Sequence, residues 1–177
     1  MRDRSRYLWA AVILAVSAGA AALIHSDDGR AEAAGVPARI EARMRSTLEQ
    51  SDPGQHNHSG HQPAASAAVI CGVRVYGYEP AQATTVAEVR TVYGFHLCGV
   101  AEPGSPWDVA VKLAGPVILD LSTDPPGIRV VEATEDVRFV DRLRQMFPER
   151  YAEMALKEGL TQSEMADLRR RYAAAAR

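Results

Sequence analysis

The apolar positions of this chain change their period three times, and each change marks a boundary. From Tyr7 to Ile24 the run is uncharged on every side, with Arg2, Arg4 and Arg6 before it and Asp27 and Asp28 after it. As a helix it would span about 27 Å at roughly 1.5 Å per residue, close to a bilayer core of about 30 Å. The basic flank favours the cytoplasmic side, so the remainder is expected outside the cytoplasm. An uncleaved signal anchor and a cleaved signal peptide both fit, because Ala20, Ala22, Ala31 and Ala33 offer small residues for cleavage.

Residues 26–68 show no continuous core pattern. Within them VPARIEARMRSTLEQ repeats Val36, Ile40, Met44 and Leu48 at every fourth position and places Pro37 in a first turn. That predicts a short helix with a narrow apolar stripe. Isolated helices of about 12–15 residues are marginal in water, so this one either docks on a domain or frays. The stretch after Gln50, SDPGQHNHSGHQPAASAA, is polar, small and without period, which reads as a linker.

Alternation begins at Val69. In VICGVRVYGYE, Cys71, Val73 and Val75 share one face, and Ile70, Tyr76 and Tyr78 share the other. In VAEVRTVYGFHLCGV, Val89, Tyr93, Phe95 and Leu97 oppose Val92, His96, Cys98 and Val100. Both segments read as strands, although Val86, Val89, Tyr93 and Leu97 also fit a helical stripe. Cys71 and Cys98 are the two cysteines of the chain, and an even count in an exported protein predicts a disulfide. Setting them opposite each other in an antiparallel hairpin puts Arg74 opposite Phe95 and Tyr76 opposite Tyr93. Val73 then lies beside His96 on the cysteine face. The turn falls at Thr84–Thr85, inside the loop-like EPAQATT.

WDVAVKLA continues as a strand with Trp107, Val109, Val111 and Leu113 on one face. Gly115-Pro116 breaks or bulges it, VILDLS follows with Val117, Leu119 and Leu121 inward, and IRVVEA returns after TDPPG. The period then becomes helical. Val137, Val140, Leu143 and Phe147 form one stripe, with Glu135 and Asp136 in the expected first turn. ERYAEMALKEG is a shorter helix with Gly159 as its candidate cap. LTQSEMADLRRRYAAAAR opens on a capping box, Thr161 with Glu164, but its apolar face is thin and it is expected to reach away from the domain.

Strands followed by helices predict an α+β fold: an antiparallel meander of four or five strands with C-terminal helices packed on one face, preceded by an N-terminal transmembrane or signal helix. The expected organisation is a signal anchor or signal peptide (1–25), a tether with a short helix and a His/Pro/Ala-rich linker (26–68), a compact domain (69–159) and a C-terminal helix (160–177).

Composition narrows the function more than it defines it. A formal net charge of −2 gives no field that argues for nucleic acid. Of the 20 basic residues only Lys112 and Lys157 are lysine, and this bias accompanies an alanine-rich chain, so no single arginine stands out as an anion ligand. His56, His58 and His61 are weak candidate ligands for Zn, Cu or Ni, with Asp52 as a fourth group, but H-x-H-x-x-H matches no defined zinc spacing. No other cofactor is expected. Cys71, His96 and Cys98 would make a metal site or an activated nucleophile only if the thiols were free. Arg74, Tyr76, Tyr78, Tyr93, Phe95 and His96 are candidates for a binding surface, unless that face is the core under the helix at 135–147. No catalytic spacing is found.

CGVRVYGYEP, VYGFHLCGV, GPVILDL and MFPERY together resemble small exported or membrane-anchored proteins of actinobacteria that have no assigned function. The resemblance covers roughly residues 69–151 and implies an anchor, a linker and a compact domain with two cysteines. It implies no catalytic residues. The expected role is a non-enzymatic extracytoplasmic module, held at the membrane through residues 7–24 or secreted, that binds an envelope protein. An envelope metal-binding protein using the histidine tract is the alternative, and a small ligand-binding or hydrolytic domain is a third.

Overall fold

Four strands form an antiparallel meander in the order β1-β2-β3-β4: β1 (Ala68–Glu79), β2 (Thr91–Ala101), β3 (Lys112–Asp120) and β4 (Gly127–Val130). The computed structural model describes residues 35–51 and 67–177. The expected tract at His56, His58 and His61 and the apolar run at 7–24 lie outside the described residues. Among the described residues no helix is long and apolar enough to cross a membrane.

The first hairpin has the expected register from Ala68↔Ala101 to Val75↔Gly94, with Cys71 opposite Cys98. It then slips by one residue, so that Gly77 and not Tyr76 lies opposite Tyr93. This bulge separates two tyrosines expected on one face. Tyr76 stays with Tyr93, whereas Tyr78 turns to pack beside the cysteine cluster. The cause sits at Gly77. A Cβ there would lie 2.1 Å from the Tyr151 hydroxyl oxygen, so only a residue without a side chain admits that ring.

The third strand also differs from its expected form. Residues Trp107–Val109 form a 3-10 turn with Val109 72 % exposed, and the strand starts only at Lys112. It then runs unbroken through Gly115 and Pro116. The Pro116 carbonyl accepts from the Val131 amide on the β4 side, just beyond the last pair of that ladder, Val117↔Val130. The missing proline N–H therefore falls where the ladder has ended, which is where a sheet tolerates it.

Both faces of the sheet are buried. On the cysteine face lies α1 (Val36–Gln50), whose Ile40, Met44 and Leu48 are fully buried against Cys71, Val73, Val92, Cys98, Val117 and Leu119. The helix docks and does not fray. Removing these three side chains from water contributes about 1.5–3 kcal/mol each, which offsets the marginal stability of a helix this short. Its close approach is set by Gly94, where a Cβ would lie 2.9 Å from the Met44 methyl.

On the other face lie α2 (Phe139–Met146), α3 (Glu149–Ala155) and α4 (Gln162–Ala175). Leu143, Phe147, Tyr151 and Ala152 cover Tyr76, Tyr93 and Ile118. The expected C-terminal helices thus occupy one face, and α1 adds a third layer on the other. The α4 helix packs along the sheet: Leu168 and Tyr172 are buried, and the capping box of Thr161 and Glu164 is formed. The α2 helix starts four residues later than its acidic pair suggested. Thr134 and Val137 exchange bonds, Thr134 N to Val137 O at 3.0 Å and Val137 N to Thr134 Oγ1 at 3.2 Å, and this turn holds Glu135 and Asp136 outside the helix. Gly159 lies beyond the end of α3, which stops at Ala155 with Leu156 as its cap residue.

Candidate functional site

Of the residues singled out by the sequence, Cys71 and Cys98 come together as a disulfide with their Cα atoms 4.0 Å apart. They face each other without exchanging backbone hydrogen bonds, the closer of the two pair types in an antiparallel ladder. Both are buried, at 0 % and 2 % exposure. The bridge uses both sulfurs, so neither a thiolate nucleophile nor a cysteine-histidine metal site forms with His96. That histidine is itself buried, and its Nδ1 donates to the Gly115 carbonyl at 2.9 Å. Among the described residues no group of three or more His, Cys, Asp or Glu is placed to hold a metal.

The candidate aromatic surface is interior. Tyr93 stacks on Tyr151 with centroids 5.1 Å apart and meets Phe147 edge-on at 5.4 Å. Tyr76 is buried and donates from its hydroxyl to the Glu158 carbonyl. Burial, with the Glu158 charge nearby, pushes the Tyr76 phenol up to about 12, so it stays a neutral donor. Burial and Glu79 likewise raise Tyr93. Phe95 and Tyr78 are half-buried against the two core clusters. Arg74, expected beside these rings as a surface group, reaches Glu158 at 3.2 Å and Glu164 at 3.1 Å, and so fixes the loop between α3 and α4 to β1.

The sequence reading missed a set of charged residues at the free edge of β1. Glu49 Oε1 accepts from the Cys71 amide at 2.9 Å and from Arg171 Nη1 at 2.9 Å. Arg171 Nη2 donates to the Cys71 carbonyl at 2.6 Å, and its Nε donates to Asp167 at 2.9 Å. The outward N–H and C=O of one edge residue thus meet an acceptor from α1 and a donor from α4, as they would meet a neighbouring strand. Arg171 holds the Asp167 carboxyl below the usual carboxylate range. Burial works against ionisation of Glu164, but bonds from Thr161 and Arg74 outweigh it and lower its pKa.

A cleft runs along the β1 edge from this clasp towards Val75. One part is lined by Glu41, Arg45, Ser163 and Asp167, the other by Pro37, Ala38, Val75 and Glu158. No local pattern signals the clasp: Glu49 and Arg171 are 122 positions apart, and Arg171 sits inside a basic run that reads as a solvated helix end. Compared with known protein families, curated proteins and solved structures, the chain matches none.

Proposed function

We propose that the chain is a non-enzymatic extracytoplasmic module, membrane-anchored or secreted, that binds another component of the cell envelope. The observation that carries the compartment is the Cys71–Cys98 bridge, which suits an oxidising environment. The arginine-flanked apolar run at 7–24 supports export by an independent route. The resemblance to small exported actinobacterial proteins points the same way. The polar side chains Arg74, Tyr76, Glu49 and Arg171 hold helices to the sheet, which supports a structural use of these groups over a catalytic one. Phe139 and Val140 stand partly exposed at the start of α2, with the exposed Arg138 beside them, and offer an apolar contact on the outer surface.

The test is chemical cross-linking in intact cells, followed by capture of the full chain from the membrane and secreted fractions. The reading expects an envelope protein enriched over a Phe139→Ser, Val140→Ser control. Recovery from the cytoplasm with two alkylatable thiols would refute the compartment. Equal recovery of every cross-linked species with the control would refute the contact.

A further inference from the structure

The disulfide and the helix above it share one cluster. Cys71 and Cys98 lie with Ile40, Met44 and Leu48 of α1, and no sulfur is reachable while that helix is seated. The opposite approach is closed as well: Leu168 of α4 lies over Gly72, with its Cδ2 3.1 Å from the Cβ position, and Tyr172 over Gly99 at 3.4 Å. The two covers are held differently. Residues Glu158–Glu164, the approach to α4 and its first turn, are tied to β1 through Arg74 and Tyr76 and closed by the capping box. Residues 52–66 separate α1 from β1 in sequence. Among the described residues, Ile40, Met44 and Leu48 seat it with Val36 beside them, Glu49 bonds the Cys71 amide and Arg171, and Arg45 lies near Asp167.

We infer that α1 is a gate over the disulfide and that the Glu49–Arg171 clasp is its latch. A short helix with one buried stripe is the kind of unit that opens locally, below the cost of global unfolding. When it lifts, the sulfurs on the cysteine face become accessible to a thiolate. A dithiol reductant then attacks one Sγ and the S–S bond breaks. The other cysteine leaves as a thiolate and takes up a proton. The second thiol of the reductant closes its own disulfide and releases the first cysteine, so two electrons pass from the dithiol to the cystine. The clasp grips the backbone of Cys71 itself, so the same contact that seats the helix also holds one half of the bond in place.

The experiment measures the rate of reduction of the full chain by dithiothreitol under native conditions, by mass shift after alkylation. Arg171→Ala and Glu49→Ala are expected to speed reduction on the order of tenfold or more, the scale of a lost charge-assisted bond. Ile40→Val, a milder change within α1, should speed it less. Leu143→Ala weakens the fold from the other face and should leave the rate within about twofold while lowering the thermal midpoint. The inference is overturned if Leu143→Ala accelerates reduction as much as Arg171→Ala, because opening is then global. It is equally overturned if the parent chain is reduced as fast as an exposed linear disulfide, because no gate then exists. If Arg171→Ala and Glu49→Ala do not fold, Ile40→Val against Leu143→Ala decides between the same two outcomes.

Discussion

The two faces of the sheet are covered by the same amount of logic but by different chemistry. The cysteine face is aliphatic and is closed by one helix, which contributes Ile40, Met44 and Leu48 and, through Glu49, the clasp. The opposite face is aromatic and is closed by three helices. Its tyrosines are long enough to pack with their rings and bond with their hydroxyls, as Tyr76 does to the Glu158 carbonyl and Tyr172 to the Val100 carbonyl at 3.3 Å. The aromatic cover is therefore pinned by direction as well as by area. The aliphatic cover depends on area, on the Glu49–Arg171 clasp and on the charge of Arg45 near Asp167. This difference is why a stripe of four apolar residues, unremarked in composition, decides whether half the core stays dry.

The largest test removes one fully buried side chain from each face. Ile40→Ala and Leu143→Ala should each cost about 2–5 kcal/mol in urea unfolding. If Ile40→Ala cost less than about 0.5 kcal/mol, α1 would not be core and the comparison would collapse to a one-faced sheet.

The glycines sharpen it. Gly94→Ala would drive a methyl to 2.5 Å from the Arg74 carbonyl oxygen, a backbone atom that cannot swing away. Gly72→Ala meets Leu160 Cδ1 at 2.6 Å, the tip of a flexible side chain. Gly94→Ala should cost about 1–3 kcal/mol and Gly72→Ala less. Thermal midpoints of the two variants give the ranking, and the reverse order would show that the cysteine face is the more forgiving one.

The smallest effect is at Tyr76. Tyr76→Phe should cost about 1 kcal/mol through the lost bond to Glu158. The phenol is raised from 10.0 to about 12 in the fold, so the neutral form is favoured there. Its contribution is complete below about pH 10 and is lost as the pH rises towards about 12. A denaturant series across that range should show the parent and Tyr76→Phe converging. Parallel curves would place the phenol in water.

Where the sequence was readable, it was readable through constraints that act locally or through covalent chemistry. Pairing Cys71 with Cys98 reproduces the register from Ala68 to Val75, and Thr161-x-x-Glu164 is a cap wherever it sits. The bulge at Val75–Gly77 was missed, although a glycine inside a strand is its usual mark, because alternation alone continues through it. The segment 107–113 alternates as a strand should, yet Val109 faces water, residues 107–109 turn, and the strand starts only at Lys112. The helix at 36–50 was legible as an element, but not as a layer of the domain. Its stripe says only that it can dock, and the apolar cysteine face that receives it is contributed by strands 20 to 80 positions away. The clasp was beyond reach for the same reason, since side chains that cap a strand edge carry no spacing. Arg74, Tyr76 and Tyr93 have the chemistry of a contact surface, yet Tyr76 and Tyr93 lie under the helices and Arg74 pairs with Glu158 and Glu164.

The most direct measurement asks whether the cysteine face can do without its helix. A chain shortened to residues 67–177, with the disulfide intact, should unfold at a clearly lower urea midpoint than the full chain and bind a hydrophobic dye. Adding the 36–50 peptide in excess should raise the midpoint and displace the dye in a concentration-dependent way. A shortened chain that unfolds cooperatively with the stability of the full chain, and binds no dye, would contradict the account.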